Sequence, residues 1–192
     1  MGKGKGVRVG LDKLHYALMT DEATETYATP VPIPGAITAT ISPEVNSETL
    51  YADDQAAEIA TSLGGVEVEI NVKDLPSDIQ SVILGSTIDE NGVMIDSKND
   101  NPPYLALGFR SRKSNGEYRY YWLFKGKFTP AEEEFNTKED SPSFQTPTIT
   151  GSFLPRESDG QWRARVDSDD EGIKPAVITS WFTKVYDGVA IV

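Results

Sequence analysis

At 192 residues, 38% of them hydrophobic and 25% charged, the chain is long enough for one domain with long loops or arms, and its apolar content supports a core. A net charge of −12 excludes gripping a nucleic-acid backbone through a basic surface and docking on anionic lipid. With no cysteine, the chain has no disulfide scaffold, thiolate metal site or cysteine nucleophile.

Residues 1–10 are rich in glycine and lysine and read as a flexible arm, the remaining 11–192 as a single β domain. The arm's glycines fit neither the dinucleotide nor the P-loop spacing. No signal-peptide core follows them, and no stretch is long and apolar enough to span a bilayer, so synthesis in a cytoplasm is expected, with no membrane partner. Residues 11–19 are a candidate strand. Pro30, Pro32, Pro34 and Gly35 break the chain before residues 37–42, where Ile37, Ala39 and Ile41 alternate onto one face. Pro43 predicts the end of that strand, because a central strand cannot spare a ladder donor. Residues 44–63 then read as a long polar loop, weakly helical at best over 55–62. Loops of this length in a compact domain usually serve a function, here a reach toward another subunit.

Residues 66–72 are the cleanest strand, with valines and Ile70 facing in and Glu67, Glu69 and Asn71 facing out. Asp74-Leu-Pro-Ser77 predicts a capped start to a short helix, with Ile79, Val82 and Ile83 as its apolar stripe and Gly85 as its stop. Residues 104–110 are a strand, and Asn115-Gly116 is a hairpin turn leading into residues 118–128. Residues 130–142 read as an exposed loop and 144–153 as a threonine-rich strand, with Pro147 marking an edge or a bulge. Residues 161–166 form a short strand or loop. At the end, Ile178, Trp181, Phe182 and Val185 stand at helical spacing within 176–186. The fold class is mainly β: an antiparallel sandwich or small barrel with one short flanking helix, an extended loop, terminal arms and a possible C-terminal helix or arm over 176–192.

Strand 118–128 is apolar on both faces. Tyr118, Tyr120, Trp122 and Phe124 point one way, Tyr121 and Leu123 the other. One face is expected on the domain core and the other under a neighbouring chain, which makes assembly the leading function.

Catalytic, cofactor and metal sites are not expected. His15 is the lone histidine and no G-x-S-x-G elbow exists. Asp53-Asp54 and Glu132-Glu-Glu134 are carboxylate runs expected in an acidic chain and read as solvated loop charge. Asp167, Asp169, Glu171 and Gly172 mimic half of a calcium loop, but Ile178 stands where the bidentate glutamate belongs. Tyr118, Tyr120, Trp122 and Trp162 would be the stacking rings of a carbohydrate-binding or adhesin module, the alternative reading.

Four segments carry a family resemblance: Gly10-Leu-Asp-Lys-Leu-His-Tyr-Ala17, Ser47-Glu-Thr-Leu-Tyr-Ala-Asp-Asp54, Tyr118-Arg-Tyr-Tyr-Trp-Leu-Phe-Lys-Gly-Lys-Phe128 and Phe144-Gln-Thr-Pro-Thr-Ile-Thr-Gly-Ser-Phe153. In this order they resemble the major tail proteins of long-tailed, non-contractile phages of Gram-positive bacteria. The resemblance implies a structural virion protein, not an enzyme. Its copies would self-assemble into stacked rings, typically hexameric, that form the tail tube. DNA would pass through the lumen without specific binding. Tape-measure, terminator and distal tail proteins would be its other partners. The tube of a secretion or injection system shares the same logic. Expected interface residues are Leu50, Tyr51, Asp53, Asp54 and Ile59 in the long loop, and Tyr118, Tyr120, Tyr121, Trp122 and Leu123 on the aromatic strand.

Overall fold

The computed structural model describes residues 6–52, 55–130, 137 and 145–188. Its main feature is a curled antiparallel sheet that forms a half-barrel. In chain order the strands are β1 (Asp12–Asp21), β2 (Thr26–Tyr27), β3 (Val31–Pro32), β4 (Ala36–Ala52) and β5 (Gln55–Val72). Helix α1 (Ser77–Leu84) and the small hairpin of β6 (Thr87–Ile88) and β7 (Met94–Ile95) follow. The chain then runs through β8 (Leu105–Arg112), β9 (Tyr118–Thr129), β10 (Thr148–Leu154), β11 (Arg163–Asp167) and α2 (Pro175–Ser180). Among the described residues the main sheet runs β2-β1-β8-β9-β10-β5-β4, with β3 on β1 and β11 on β9.

Strand β9 organises the sheet. Along one side it pairs with β8 across the turn at Asn115-Gly116, where Gly116 takes φ +86° and donates its N–H to the Lys113 carbonyl at 3.0 Å. Its other side is shared, with β11 beside residues 119–123 and β10 beside residues 125–129. Two apolar clusters lie on opposite faces. Tyr121, Leu123, Phe109 and Phe128 pack with Val66, Val68 and Ile70 of β5 and with Ile79, Ile83 and Leu84 of α1. Tyr120, Trp122 and Phe124 pack with Ala17, Ala106, Trp181 and Val185.

Several expectations change. Pro43 does not end its strand: β4 runs on to Ala52, because it lies at the edge of the sheet, where a missing donor costs little, and its register shifts between Pro43 and Val45. The polar loop and weak helix expected over 44–63 are instead the outer halves of β4 and β5, paired from Val45↔Leu63 out to Ala52↔Gln55. Pro147 lies just before β10, which sits between β5 and β9 and not at an edge. Helix α1 starts without a side-chain cap, although Gly85 closes it in the left-handed conformation at φ +74°. It buries Leu84 and leaves Val82 exposed. The C-terminal helix is only six residues long and buries none of them; Trp181 and Val185, just past its end, do the packing.

Candidate assembly surface

The outer halves of β4 and β5 form a two-stranded arm. Beyond Val66, where pairing with β10 stops, β5 has β4 as its sole partner among the described residues. The nine residues 44–52 at ~3.3 Å each carry it ~30 Å from the sheet. Leu63 anchors the root against the core, while Val45, Leu50, Tyr51 and Ile59 are between 60 and 70% exposed. Direct cross-strand partners share a face. The register therefore sets Val45, Thr49, Ile59 and Leu63 on one side and Glu48, Leu50 and Glu58 on the other. Among the described residues, neither glutamate has a cationic partner and Tyr51 makes no side-chain hydrogen bond.

The expected interface residues fall in separate places. Leu50, Tyr51 and Ile59 cluster near the arm's tip. Asp53 and Asp54 lie outside the described residues, as do Glu132-Glu-Glu134, residues 1–5 of the N-terminal arm and the end of the C-terminal one. Tyr118 is half-buried beneath the Arg110 guanidinium, 4.0 Å from its ring centre. Tyr120, Tyr121, Trp122 and Leu123 are buried within the chain itself.

The second cover of the aromatic strand thus comes from its own C-terminal segment and not from a neighbour. The Trp122 indole N–H donates to the Trp181 carbonyl at 2.9 Å, and the Trp181 indole N–H donates to the Tyr121 carbonyl at 3.3 Å. The Tyr120 and Trp181 rings meet edge to face at 5.9 Å. Gly108 lets Trp122 lie flat on β8, since a Cβ there would come within 2.7 Å of the indole. A sugar-stacking surface is lost by the same packing: Tyr120 and Trp122 are enclosed, and the Arg163 guanidinium covers Trp162 at 4.3 Å.

Buried ion pairs tie the loops to the sheet. The Lys113 ammonium sits between Asp167 and Asp169, and the Arg119 fork also grips Asp167, with Nη2 at 2.6 Å. The acidic turn that imitates a calcium loop thus already holds a lysine. Hydrogen bonds from Arg119, outweighing burial, keep the Asp167 carboxyl at about 2. Glu25 is buried, which alone would raise its pKa. The Ser158 hydroxyl and the backbone N–H groups of Glu157 and Ser158, with Lys125 at 3.3 Å, instead lower it to about 2. His15 stacks on Phe182 at 4.6 Å, its Nδ1 lies 2.8 Å from the Lys13 carbonyl, and burial pushes its pKa down.

This is a scaffold with a projecting arm that has no partner outside its own two strands among the described residues, and the phage tail tube protein family matches it over residues 33–184. The chain belongs to that family. No curated protein matches it. The tail tube match begins just before β4 and ends beyond Trp181, so it takes in the arm, the aromatic strand and its C-terminal cover. Tail tube proteins are structural, not enzymes, and the chain is accordingly a structural component of the virion tail. Membership implies self-association in the tail and contact with other tail components. No helix among the described residues is long and apolar enough to cross a membrane.

Sequence reasoning missed one signal in the tail tube arm. No lysine or arginine occurs between Lys13 and Lys73, while Glu44, Glu48, Asp53, Asp54, Glu58, Glu67 and Glu69 fall within β4, β5 and their connection. A stretch this uniform in charge holds no cation of its own to neutralise it.

Proposed function

We propose that residues 11–192 fold as one unit whose copies form rings, hexameric as the family resemblance implies, and that the rings stack through the β4–β5 arm to make the tube. The observation that carries this reading is the arm itself. It extends ~30 Å and shows Leu50, Tyr51 and Ile59 to water at 62, 70 and 65% exposure. Exposed apolar clusters rimmed by carboxylates are the anatomy of an interface. A heterologous contact repeated between identical copies closes into a ring or extends as a filament. The acidic chain would repel DNA phosphates, which suits a conduit that does not hold its cargo. Synthesis in the host bacterial cytoplasm, and contacts with tape-measure, terminator and distal tail proteins at the ends of the tube, complete the proposal.

Negative-stain microscopy with sedimentation, on wild type and Tyr51→Ala side by side, tests it. The wild type should give rings or hollow tubes at high concentration. Tyr51→Ala should keep the monomer's circular dichroism yet form no tubes. Normal tubes from Tyr51→Ala would remove the arm from the contact.

A further inference from the structure

An open groove of about 580 Å³ lies between the inner half of β4 and strands β8, β9 and β11. Its floor is apolar: Ile41 and the stacked rings of Phe109 and Tyr121, 4.9 Å apart. Its rim is basic. Arg8 and Arg163 line it, and Arg165, directly opposite Tyr121 in the register, shares the face of Arg163. Among the described residues Arg110 pairs with Asp12, Lys113 and Arg119 with Asp167, Lys125 with Glu25, and Arg156 with Asp159. Arg8, Arg163 and Arg165 have no carboxylate partner among the described residues. Burial, with Arg165 close by, pushes the Arg163 guanidinium below its ordinary range, as befits a cation partly withdrawn from water without a counter-ion.

We infer that this groove receives the β4–β5 arm of a second copy, with Leu50 on the aromatic floor and Glu48 and Glu58 against Arg8, Arg163 and Arg165. The arm presents the complementary pattern. Leu50 pairs across the ribbon with Glu58, and Glu48 stands two residues before it on the same face, so one leucine is flanked by two unpaired carboxylates. A phosphate backbone would satisfy the arginines but bring no apolar group to Ile41, Phe109 and Tyr121. The groove's own arm cannot reach: Thr38–Ile41 form one wall, and the β4–β5 ladder, which continues past the register shift between Pro43 and Val45, holds Leu50 ~30 Å further along the strand. The inference rests on the arm-mediated stacking proposed above and names its acceptor.

The test places a photo-reactive residue at position 50 and mixes heavy-isotope and ordinary chains under the conditions used for tubes. Mixed-isotope links should map to peptides containing Arg8, Thr38–Ile41 or Arg163. In parallel, Arg163→Glu with Arg165→Glu, and separately Glu48→Lys with Glu58→Lys, should each cut pelletable assemblies about tenfold or more, and mixing the two double variants should restore them. Circular dichroism confirms that each variant folds. Links elsewhere, links within one copy, no links, or no restoration on mixing would overturn the groove as acceptor. If Tyr51→Ala blocks tubes while the links land elsewhere, the groove alone fails. If Tyr51→Ala leaves tubes normal, arm-mediated stacking fails and takes the groove with it.

Discussion

Replacing Trp181 by alanine should strip the outer cover from the aromatic strand. The side chain is 3% exposed and packs against Tyr120 and Trp122. Burying a tryptophan removes ~200 Å² from water, which at ~25 cal/mol per Å² is worth ~5 kcal/mol. Alanine keeps the Cβ, and the indole's hydrogen bond to the Tyr121 carbonyl is long at 3.3 Å, so the expected loss is ~4 kcal/mol, inside the usual range for Trp→Ala. Against a typical stability of ~5–15 kcal/mol this is severe but survivable. With a slope of ~2 kcal/mol per molar urea, the unfolding midpoint should fall by ~2 M. Trp181→Phe keeps an aromatic cover and should lose ~1–2 kcal/mol. Urea titrations followed by far- and near-ultraviolet circular dichroism on the dilute monomer read both variants. A loss below ~1 kcal/mol for Trp181→Ala would show that the chain does not supply its own cover, and would restore a neighbouring copy to that role.

Lys113→Met should cost ~3–5 kcal/mol, because Asp167 and Asp169 then face each other with their shared cation gone; Asp169→Asn added to it should recover part of that loss in the same urea assay, and no recovery would mean the lysine acts by packing alone. Acid should weaken the fold in a defined window. Glu25 is lowered from 4.5, and Asp167 from 3.8, to about 2 in the folded chain, so the stability they contribute is present above the unfolded values and lost as pH falls from about 4.5 toward about 2. Glu25→Gln should flatten the slope of stability against pH there, and an unchanged slope would refute the assignment.

The parts legible in the sequence were those whose local pattern has a single physical solution. Residues 66–72 alternate because one face is core and the other water, and Asn115-Gly116 marks a turn because Gly116 must take a positive φ. The aromatic strand showed that both its faces need covering, and the grouping of Tyr120 with Trp122 and of Tyr121 with Leu123 followed from alternation alone. What covers it did not, since Trp181 lies about sixty residues away and its i, i+4 spacing with Val185 names no partner. The arm was misread for a related reason. Both its faces meet water, so burial imposes no period-two pattern on residues 44–63, and Pro43 supplied a stop signal that an edge strand can ignore. The groove joins residues from the first ten positions, from β4, β8 and β9, and from β11. No window of sequence contains it.

The arm's construction also sets when it is ordered. A ribbon of two strands with no third strand and no core beneath it among the described residues has little to hold it closed in water, whereas residues 66–71 are locked between β4 and β10. Amide protons over 45–52 and 55–60 should therefore exchange with solvent through small local openings, while those of 66–71 wait for global unfolding. Any partner that seats the ribbon must supply the free energy that fixes it, and that charge falls on every encounter between two free chains. The cost is met more readily at a surface where several seats are already in place. Under the arm-mediated stacking proposed above, the fold would favour growth at an existing end over spontaneous nucleation, and the chain would accumulate in quantity before tubes form.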